Sequence, residues 1–321
     1  MTQDRIEAAR TQFVSERPLF EEVASQVQDE LHAALTGSGV RFRLESRAKD
    51  AGSLLKKLLT NSEMSYQQMR DRAGARIIVA KLSDVETVET VLKERVPKIE
   101  AIPARQEEVD RFGFRARFFS VKRAPLSDAN GKKRRCEIQL VTEVAAVWAS
   151  LSHRYVYKTA EWCPREVHRA VSRLSALMEV VDHEIERIDM AVRESPDGLV
   201  ARAYLALEAA FLRFRQPSHG QQALSLRVLE ALRPAFETDY ERWESGLPEF
   251  VESNSARLER ALAACAEQEQ LAMFDGQPET IAVLRLLDEK PMFLEELWPD
   301  WLGESALERL QFSWRGKVAV V

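Results

Sequence analysis

The chain has 321 residues, of which 45% are hydrophobic, enough to build the cores of about two domains. It contains no apolar run of the roughly 18 residues that a transmembrane helix needs. Its N-terminus, MTQDRIEAARTQF, lacks an apolar signal core, so we expect a cytoplasmic protein with no membrane partner. The net charge of −5 argues against a protein that coats nucleic acid but allows a local basic patch. Widely spaced Cys136, Cys163 and Cys265 exclude a disulfide framework and a zinc ribbon.

The first predicted elements are a long helix and a strand. Residues 2–34 carry apolar side chains at helical spacing, and we expect the helix to break near Pro18, which lacks an amide hydrogen. Val40, Phe42 and Leu44 then alternate with charged residues, which predicts a strand.

A cluster of cations follows this strand. Arg47 and Lys49 leave the strand, and Ser53 and Lys57 lie on the first turns of a leucine-rich helix. Free amides and positive side chains converge at such a turn, which favours an anion site. A solvated basic helix face is the alternative that the residues leave open.

A second strand, Ala75 to Ala80, is preceded by Asp71 and contains Arg76. An aspartate before a strand is usually a cap or a turn residue. If the sheet brings Asp71 beside Glu137, the two carboxylates would suit Mg²⁺ bound to a nucleotide, because this ion prefers hard oxygen ligands from protein and phosphate. Residues 100–112 read as a loop.

The stretch from Arg134 to Lys158 predicts a strand that leads into a helix. The strand places Glu137 and Gln139 on one face, and the helix carries His153 toward the same region. Asn130-Gly131 predicts a hairpin that joins this strand to the preceding one, FGFRARFFSVK. The hairpin tip, GKKRR, is either an exposed solubilising turn or a contact for phosphate or an RNA backbone.

The rest of the chain predicts helices. A helix from Pro164 to about Arg193 ends before a linker at 195–198, so we expect domains at 1–194 and 195–321. Residues 199–214 and 221–232 suit a helical hairpin, and residues 236–270 suit long helices. The tail predicts three helices and a strand from Lys317 to Val321, an order compatible with a small winged-helix-like module.

Five ordered blocks in residues 41–190 resemble the synthetase domain of RelA/SpoT-type alarmone synthetases, especially the small single-domain members. The blocks are RAKDAGSLLKKL, DRAGARIIV, GFRARFFSV, EIQLVT and VWASLSHRYVYK. The resemblance implies an α+β fold, a nucleotidyltransferase-like mixed sheet flanked by helices, followed here by a mostly helical C-terminal region. It implies transfer of the β,γ-pyrophosphate of ATP to the 3′-hydroxyl of a guanosine nucleotide, which makes (p)ppGpp.

The same resemblance implies residue roles, in two halves of a site. On the donor side, ATP phosphates would be held by Arg47, Lys49, Ser53 and Lys57, with Arg76 at or near the adenine. Asp71 and Glu137 would be the catalytic pair that holds Mg²⁺, with Glu137 also activating the attacking hydroxyl. On the acceptor side, the substrate would contact Phe114, Gln139, His153 and Arg111.

The acceptor half departs from the family pattern. Ala116, Phe118, Val141 and Ser152 stand where the family carries polar or charged residues. Three alternatives therefore stay open: a (p)ppGpp synthetase with an altered pocket, an enzyme with another acceptor such as the tRNA 3′ end, and a decayed nucleotide-binding regulator. We expect a homo-oligomer or a partner protein to contact the C-terminal extension.

Overall fold

A computed structural model describes residues 3–60, 65–103, 116–152, 164–195, 198–216 and 222–315. The chain divides into two compact units, Met1–Glu186 and Arg187–Val321. The division falls inside the helix Arg165–Glu194, whereas the sequence places a boundary just after that helix. The domain limits at 194 and 195 stay a prediction.

The first unit contains a five-stranded mixed sheet. Its strands are β1 (Phe42–Ala48), β2 (Ala73–Val79), β3 (Glu100–Ile102), β4 (Arg117–Arg123) and β5 (Arg134–Thr142). Their spatial order is β1-β2-β5-β4-β3; the central pair β2 and β5 is parallel, and the other pairs are antiparallel. The helices that begin in this unit are α1 (Gln3–Leu35), α2 (Ala51–Thr60), α3 (Leu82–Arg95), α4 (Glu143–Ser152) and α5 (Arg165–Glu194). The predicted class, a mixed sheet flanked by helices, is confirmed.

Helix α1 covers one face of the sheet because its apolar residues form a continuous buried stripe. Phe13, Phe20 and Val27 pack with Ile77 and Ile138 in one core. The predicted break at Pro18 is wrong, since α1 runs through this residue. Proline costs one helical hydrogen bond, but the stacked rings of Phe13 and Phe20, 6.1 Å apart, hold the two sides of Pro18 against the same core.

The hairpin between β4 and β5 is present, with Gly131 at φ 58° and its amide donating to the carbonyl of Asp128 at 2.8 Å. The loop predicted over 100–112 begins instead as the short strand β3, which pairs with β4. Three residues are too few for an alternating pattern to show in the sequence. Residues 104–115 lie outside the described residues.

The second unit is helical around the buried helix α11. The helices wholly within it are α6 (Leu199–Phe211), α7 (Gln222–Leu232), α8 (Tyr240–Ser245), α9 (Leu247–Ser253), α10 (Ser255–Glu267), α11 (Glu279–Glu289), α12 (Pro291–Leu297) and α13 (Glu304–Arg315). The prediction of long helices over residues 236–270 is wrong, because the chain turns at Gly246 and Asn254. The predicted terminal strand, Lys317 to Val321, lies outside the described residues, and the winged-helix-like module stays a prediction. In the described part of the chain, no helix is long and apolar enough to cross a membrane.

Candidate active site

The sheet face opposite α1 is built from rows of side chains across neighbouring strands. In the first row, Arg47 of β1 is the register partner of Gly74 in β2, and Gly74 is the partner of Glu137 in β5. Gly74 has no side chain, so an open space separates the guanidinium of Arg47 from the carboxylate of Glu137. A Cβ atom built at Gly74 would meet its nearest neighbour, the Glu137 carbonyl oxygen, at 3.8 Å.

The second row lies two residues along each strand; it is polar on β1, β2 and β5 and continues on β4 with Phe118, the register partner of Gln139. Glu45, Arg76 and Gln139 are consecutive register partners. Arg76 donates from Nε and Nη2 to Gln139 Oε1, at 3.3 and 3.1 Å, and its Nη1 lies 3.8 Å from Glu45 Oε2. Gln139 in turn donates to Glu137 Oε1 at 3.5 Å, so the two rows are linked.

The third row is apolar on β2 and β5, although Arg43 of β1 is the register partner of Ile78. Ile78 pairs with Val141, and both are buried in a small cluster with Ala145, against which Ala116 and Ala146 pack. Ala116 and Val141 are two of the positions at which the resemblance expects polar groups on the acceptor side. The described part of this side therefore offers methyl groups where the donor side offers charges.

Asp71 joins the first row from the turn before β2. Its Oδ2 lies 2.7 Å from Lys49 Nζ, and its Oδ1 lies 3.0 Å from Lys57 Nζ. The backbone amide of Lys49 also donates to the carbonyl of Arg72 at 2.9 Å, which fixes the end of β1 beside this turn. All three side chains are less than one-third exposed, so their charges interact through a partly desolvated medium.

The two carboxylates differ in how their surroundings shift their pKa values. Burial raises the pKa of Glu137, and the negative charge of Asp71 raises it further. Burial would also raise the pKa of Asp71, but the ammonium groups of Lys49 and Lys57 outweigh burial and lower it. Burial lowers the pKa of Arg76, although Glu45 opposes that shift. Asp71 is thus held ionised, while Glu137 holds a proton more readily than an ordinary glutamate.

These side chains line one cavity of about 170 Å³. Its lining comprises Glu45, Ser46, Arg47, Lys49, Asp71, Gly74, Ala75, Arg76, Glu137 and Gln139. Six of the residues expected from the sequence are therefore brought together: Arg47, Lys49, Asp71, Arg76, Glu137 and Gln139.

Two expected residues do not line the cavity. In the described part of the chain, neither Ser53 nor Lys57 lines the cavity. Lys57 influences the cavity through its ion pair with Asp71. Ser53 lies in the first turn of α2, where its backbone amide donates to the side chain of Asp50 at 3.0 Å. The expected substrate contacts Arg111, Phe114 and His153 lie outside the described residues.

Glu45 and Gly74 line the cavity although neither was expected there from the sequence. Glu45 shares a strand face with Arg47, and the alternation of β1 was a signal that could have identified it. The signal for Gly74 was a glycine within a strand pattern, which often marks a close approach of a ligand or of another backbone.

The carboxylates of Asp71 and Glu137 fit a divalent metal ion that is bound largely through substrate phosphate. No group of three or more metal-ligating side chains occurs in the described ranges, so at this site the protein would supply the carboxylates of this pair alone. Mg²⁺ at nucleotide sites typically takes one or two carboxylates and completes its shell with phosphate and water. The repulsion between Asp71 and Glu137, visible in the raised pKa of Glu137, is what a cation between them would relieve.

Comparison with known proteins connects this site to a family. The family model described as "Region found in RelA / SpoT proteins" matches residues 46–161. GTP pyrophosphokinase YjbM of Bacillus subtilis (strain 168) is 27% identical over 188 residues, which cover 53% of this chain and 87% of that protein. The crystal structure of small alarmone synthetase 1 from Bacillus subtilis bound to its product pppGpp is 22% identical with a TM-score of 0.50, covering 57% of this chain and 99% of that chain. Residues 46–161, which contain every lining residue except Glu45, are thus the part of the chain that matches the RelA/SpoT family model.

Proposed function

We propose that the protein is a pyrophosphokinase that transfers the β,γ-pyrophosphate of ATP to the 3′-hydroxyl of GDP or GTP, making (p)ppGpp. The observation that supports this most directly is the cavity in which Arg47, Lys49 and Arg76 surround the carboxylates Asp71 and Glu137. Transfer of phosphoryl groups is catalysed mainly by alignment and by neutralisation of charge, and this cavity holds groups for both. The named activity of the YjbM relative supports the same reaction class.

On this proposal, the cations bind the triphosphate of ATP. Arg47 and Lys49 reach the cavity from the end of β1, and Arg76 reaches it from β2 with its guanidinium held by Gln139. Lys57 keeps Asp71 in place, and Ser53, in the first turn of α2, would contribute its hydroxyl to the phosphates.

Glu137 is the group that we propose accepts the proton of the attacking hydroxyl. Its carboxylate faces the open space left by Gly74, and its raised pKa makes it a better proton acceptor than an ordinary glutamate. Asp71 and Glu137 would hold Mg²⁺, which when bound neutralises phosphate charge and orients the pyrophosphate.

The test is a Glu137→Gln variant compared with Glu143→Gln, the same change at an exposed carboxylate in the first turn of α4. Each protein is incubated with γ-labelled ATP, Mg²⁺ and GDP or GTP, and the label is followed. We expect Glu137→Gln to lose transfer by at least about 100-fold, in line with removal of a general base, and to keep ATP binding. Glu143→Gln should match the unchanged protein; transfer that survives in Glu137→Gln would overturn the assigned role.

A second acceptor has an observation in its favour. The apolar cluster that contains Ile78, Val141 and Ala116 lacks the polar groups that a guanosine nucleotide would use on this side. Each lost hydrogen bond to a charged group costs about 1.5–3 kcal/mol. We therefore propose the 3′ end of tRNA as the alternative acceptor, tested by adding bulk tRNA, ADP, GDP or GTP in parallel.

Label on tRNA alone would support this alternative acceptor. Nucleotide binding without transfer to any acceptor would instead support a regulator that has lost catalysis.

The proposed activity also sets expectations for location and assembly. An enzyme that uses ATP and makes (p)ppGpp acts in the cytoplasm, in the stringent response. We propose that the C-terminal unit, Arg187–Val321, mediates contact with a second copy or a partner protein. Light scattering of the full chain distinguishes a monomer from a homo-oligomer.

A further inference from the structure

A second cleft in the first unit is lined by positive side chains and is separate from the active-site cavity. It has a volume of about 510 Å³, within the roughly 300–1,000 Å³ range of ligand pockets. We call it the basic cleft; α1, the turn before β2, and the β4–β5 hairpin form its walls. Within the described residues, no side chain lines both cavities.

The charge of the basic cleft is strongly unbalanced. Five cations line it without forming an ion pair with any described residue: Arg70, Lys122, Lys132, Lys133 and Arg135. The carboxylate in its lining is Glu16, which accepts hydrogen bonds from the hydroxyl of Tyr66 at 2.7 Å and from Gln12 at 3.3 Å.

Two further arginines in the wall serve the fold. Arg134 forms an ion pair with Asp128 in which both side chains are 8% exposed. The guanidinium of Arg72 lies 4.9 Å from the ring centre of Phe20 and 4.7 Å from that of Tyr66. Arg72 and Arg134 are thus held by contacts within the fold, whereas the other five cations remain available to a ligand.

Lys122 and Arg135 carry like charges directly opposite one another. They are register partners in the antiparallel pair of β4 and β5. Like charges in that arrangement destabilise a sheet. Two like charges that only kept a turn soluble would gain nothing from lying opposite one another in a concave wall. An anion bound between Lys122 and Arg135 would remove their repulsion.

The lining also indicates which part of a ligand would be recognised. Phe20 is 1% exposed and Tyr66 5% exposed, and Arg72 lies over both rings, so neither offers an open face to a base. The accessible groups are ammonium and guanidinium groups, which bind phosphate oxygens. We propose that the basic cleft is a second anion site that binds the phosphate groups of a polyanion, either a free polyphosphate or an RNA strand. This assignment does not depend on the reaction proposed for the first cavity.

The experiment compares two triple variants of the full chain that lose the same charge. The first is Lys122→Gln/Lys132→Gln/Lys133→Gln in the basic cleft, and its matched control is Arg227→Gln/Arg260→Gln/Arg309→Gln on exposed helix positions of the second unit. Binding of labelled oligouridylate is measured by fluorescence polarisation, and binding of inorganic tripolyphosphate by calorimetry.

We expect the cleft variant to bind at least one probe at least about tenfold more weakly than the control at low salt. For oligouridylate, the slope of log affinity against log salt should fall by about 2, since three phosphate contacts are lost. The thermal midpoint should not fall, because removing Lys122 relieves repulsion.

The two probes distinguish the sources of the ligand. A selective loss of tripolyphosphate binding identifies a free polyphosphate, and a selective loss of oligouridylate binding identifies an RNA backbone. The proposal is overturned if neither probe binds, or if the cleft and control variants bind both equally. A Glu137→Gln variant that retains the cleft-dependent binding would separate this site from the proposed reaction.

Discussion

At the scale of single residues, Glu137 and Glu279 show two ways in which a protein raises the pKa of a carboxylate. Glu137 is only partly buried, and the charge of Asp71 adds to the effect of burial. Glu279 lies in the core of the second unit, where burial raises its pKa to about 7, although the nearby Ser225 hydroxyl opposes the shift. That hydroxyl donates to Gln277 at 2.9 Å, and neither carboxylate oxygen of Glu279 has a well-placed hydrogen bond within the described residues.

Glu279 makes the stability of the second unit depend on pH. Its pKa in the folded chain, about 7, lies above the reference value of 4.5. The contribution of Glu279 to stability is therefore most favourable below pH 4.5 and weakens as pH rises, with the whole loss present above pH 7. The shift corresponds to a loss of about 3 kcal/mol. We expect Glu279→Gln to raise the free energy of unfolding by up to that amount at pH 8 and to change it little near pH 4.5.

The measurement is urea unfolding at both pH values. Glu259→Gln is the matched control, because this glutamate lies at an exposed position of α10 in the same unit. An equal effect of Glu279→Gln at the two pH values would contradict the assignment.

Among the elements of the fold, β2 shapes the active-site cavity because Gly74 has no side chain. A side chain at position 74 would project between Arg47 and Glu137, while the nearest atom to its Cβ would be at an ordinary contact distance of 3.8 Å. We expect Gly74→Val to fold, because valine suits a strand, and to weaken ATP binding by at least about tenfold, equivalent to about 1.4 kcal/mol. Calorimetric titration with a non-hydrolysable ATP analogue measures this.

Gly74→Ala is the graded control for the same position. One methyl group occupies less of the space than an isopropyl group, so its effect on binding should be smaller. Unchanged affinity in Gly74→Val would show that nucleotide does not enter between these two strands.

Thr142 connects the end of β5 with two helices. Its hydroxyl oxygen accepts a hydrogen bond from the amide of Ala145 in the first turn of α4, and its hydroxyl donates to Asp182 Oδ2 in α5, each at 3.0 Å. Both Thr142 and Asp182 are buried. We expect Thr142→Val to lower the free energy of unfolding by about 1–3 kcal/mol, because it removes a cap and a buried charged hydrogen bond.

Thr142→Ser keeps the hydroxyl and serves as the control for this change. In chemical denaturation it should lose markedly less stability than Thr142→Val. If both variants lose the same amount, methyl packing and not the hydroxyl accounts for the role of Thr142.

The elements that the sequence predicted are those whose side chains alternate or repeat over many residues. Alternation gave β1 and β5, and helical spacing gave α1, although Pro18 suggested a break that core packing overrides. The pairing of Gly74 with Glu137 could not be predicted from alternation or helical spacing, because the register between residues 63 positions apart depends on the whole sheet. Individual polar residues, Glu45 among them, were therefore identifiable, while the open position that Gly74 leaves between Arg47 and Glu137 needed the assembled rows.

At the scale of the whole molecule, the two units have separate cores. Leu207 belongs to the core of the second unit and Ile138 to that of the first, and both are fully buried. We propose that each unit unfolds as its own cooperative unit. Leu207→Ala should lower the free energy of unfolding of the second unit by about 2–5 kcal/mol, and leave nucleotide affinity at the first-unit cavity unchanged.

Differential scanning calorimetry and nucleotide titration test this prediction together. Ile138→Ala is the reciprocal variant, and it should lower the other transition and weaken nucleotide binding. A single transition that both variants shift equally would contradict two independent units.

The position of β5 has a consequence for how the chain is made. β5 lies between β2 and β4, although it is the last of the five strands to be synthesised. Until residues 134–142 have left the ribosome, β1 can pair with β2 and β3 with β4, but nothing joins the two pairs. The same strand brings Glu137 to the cavity, so closure of the sheet and completion of the site occur in one step. A nascent chain that stops before β5 therefore carries Asp71 and the cations that line the cavity but lacks Glu137 and Gln139.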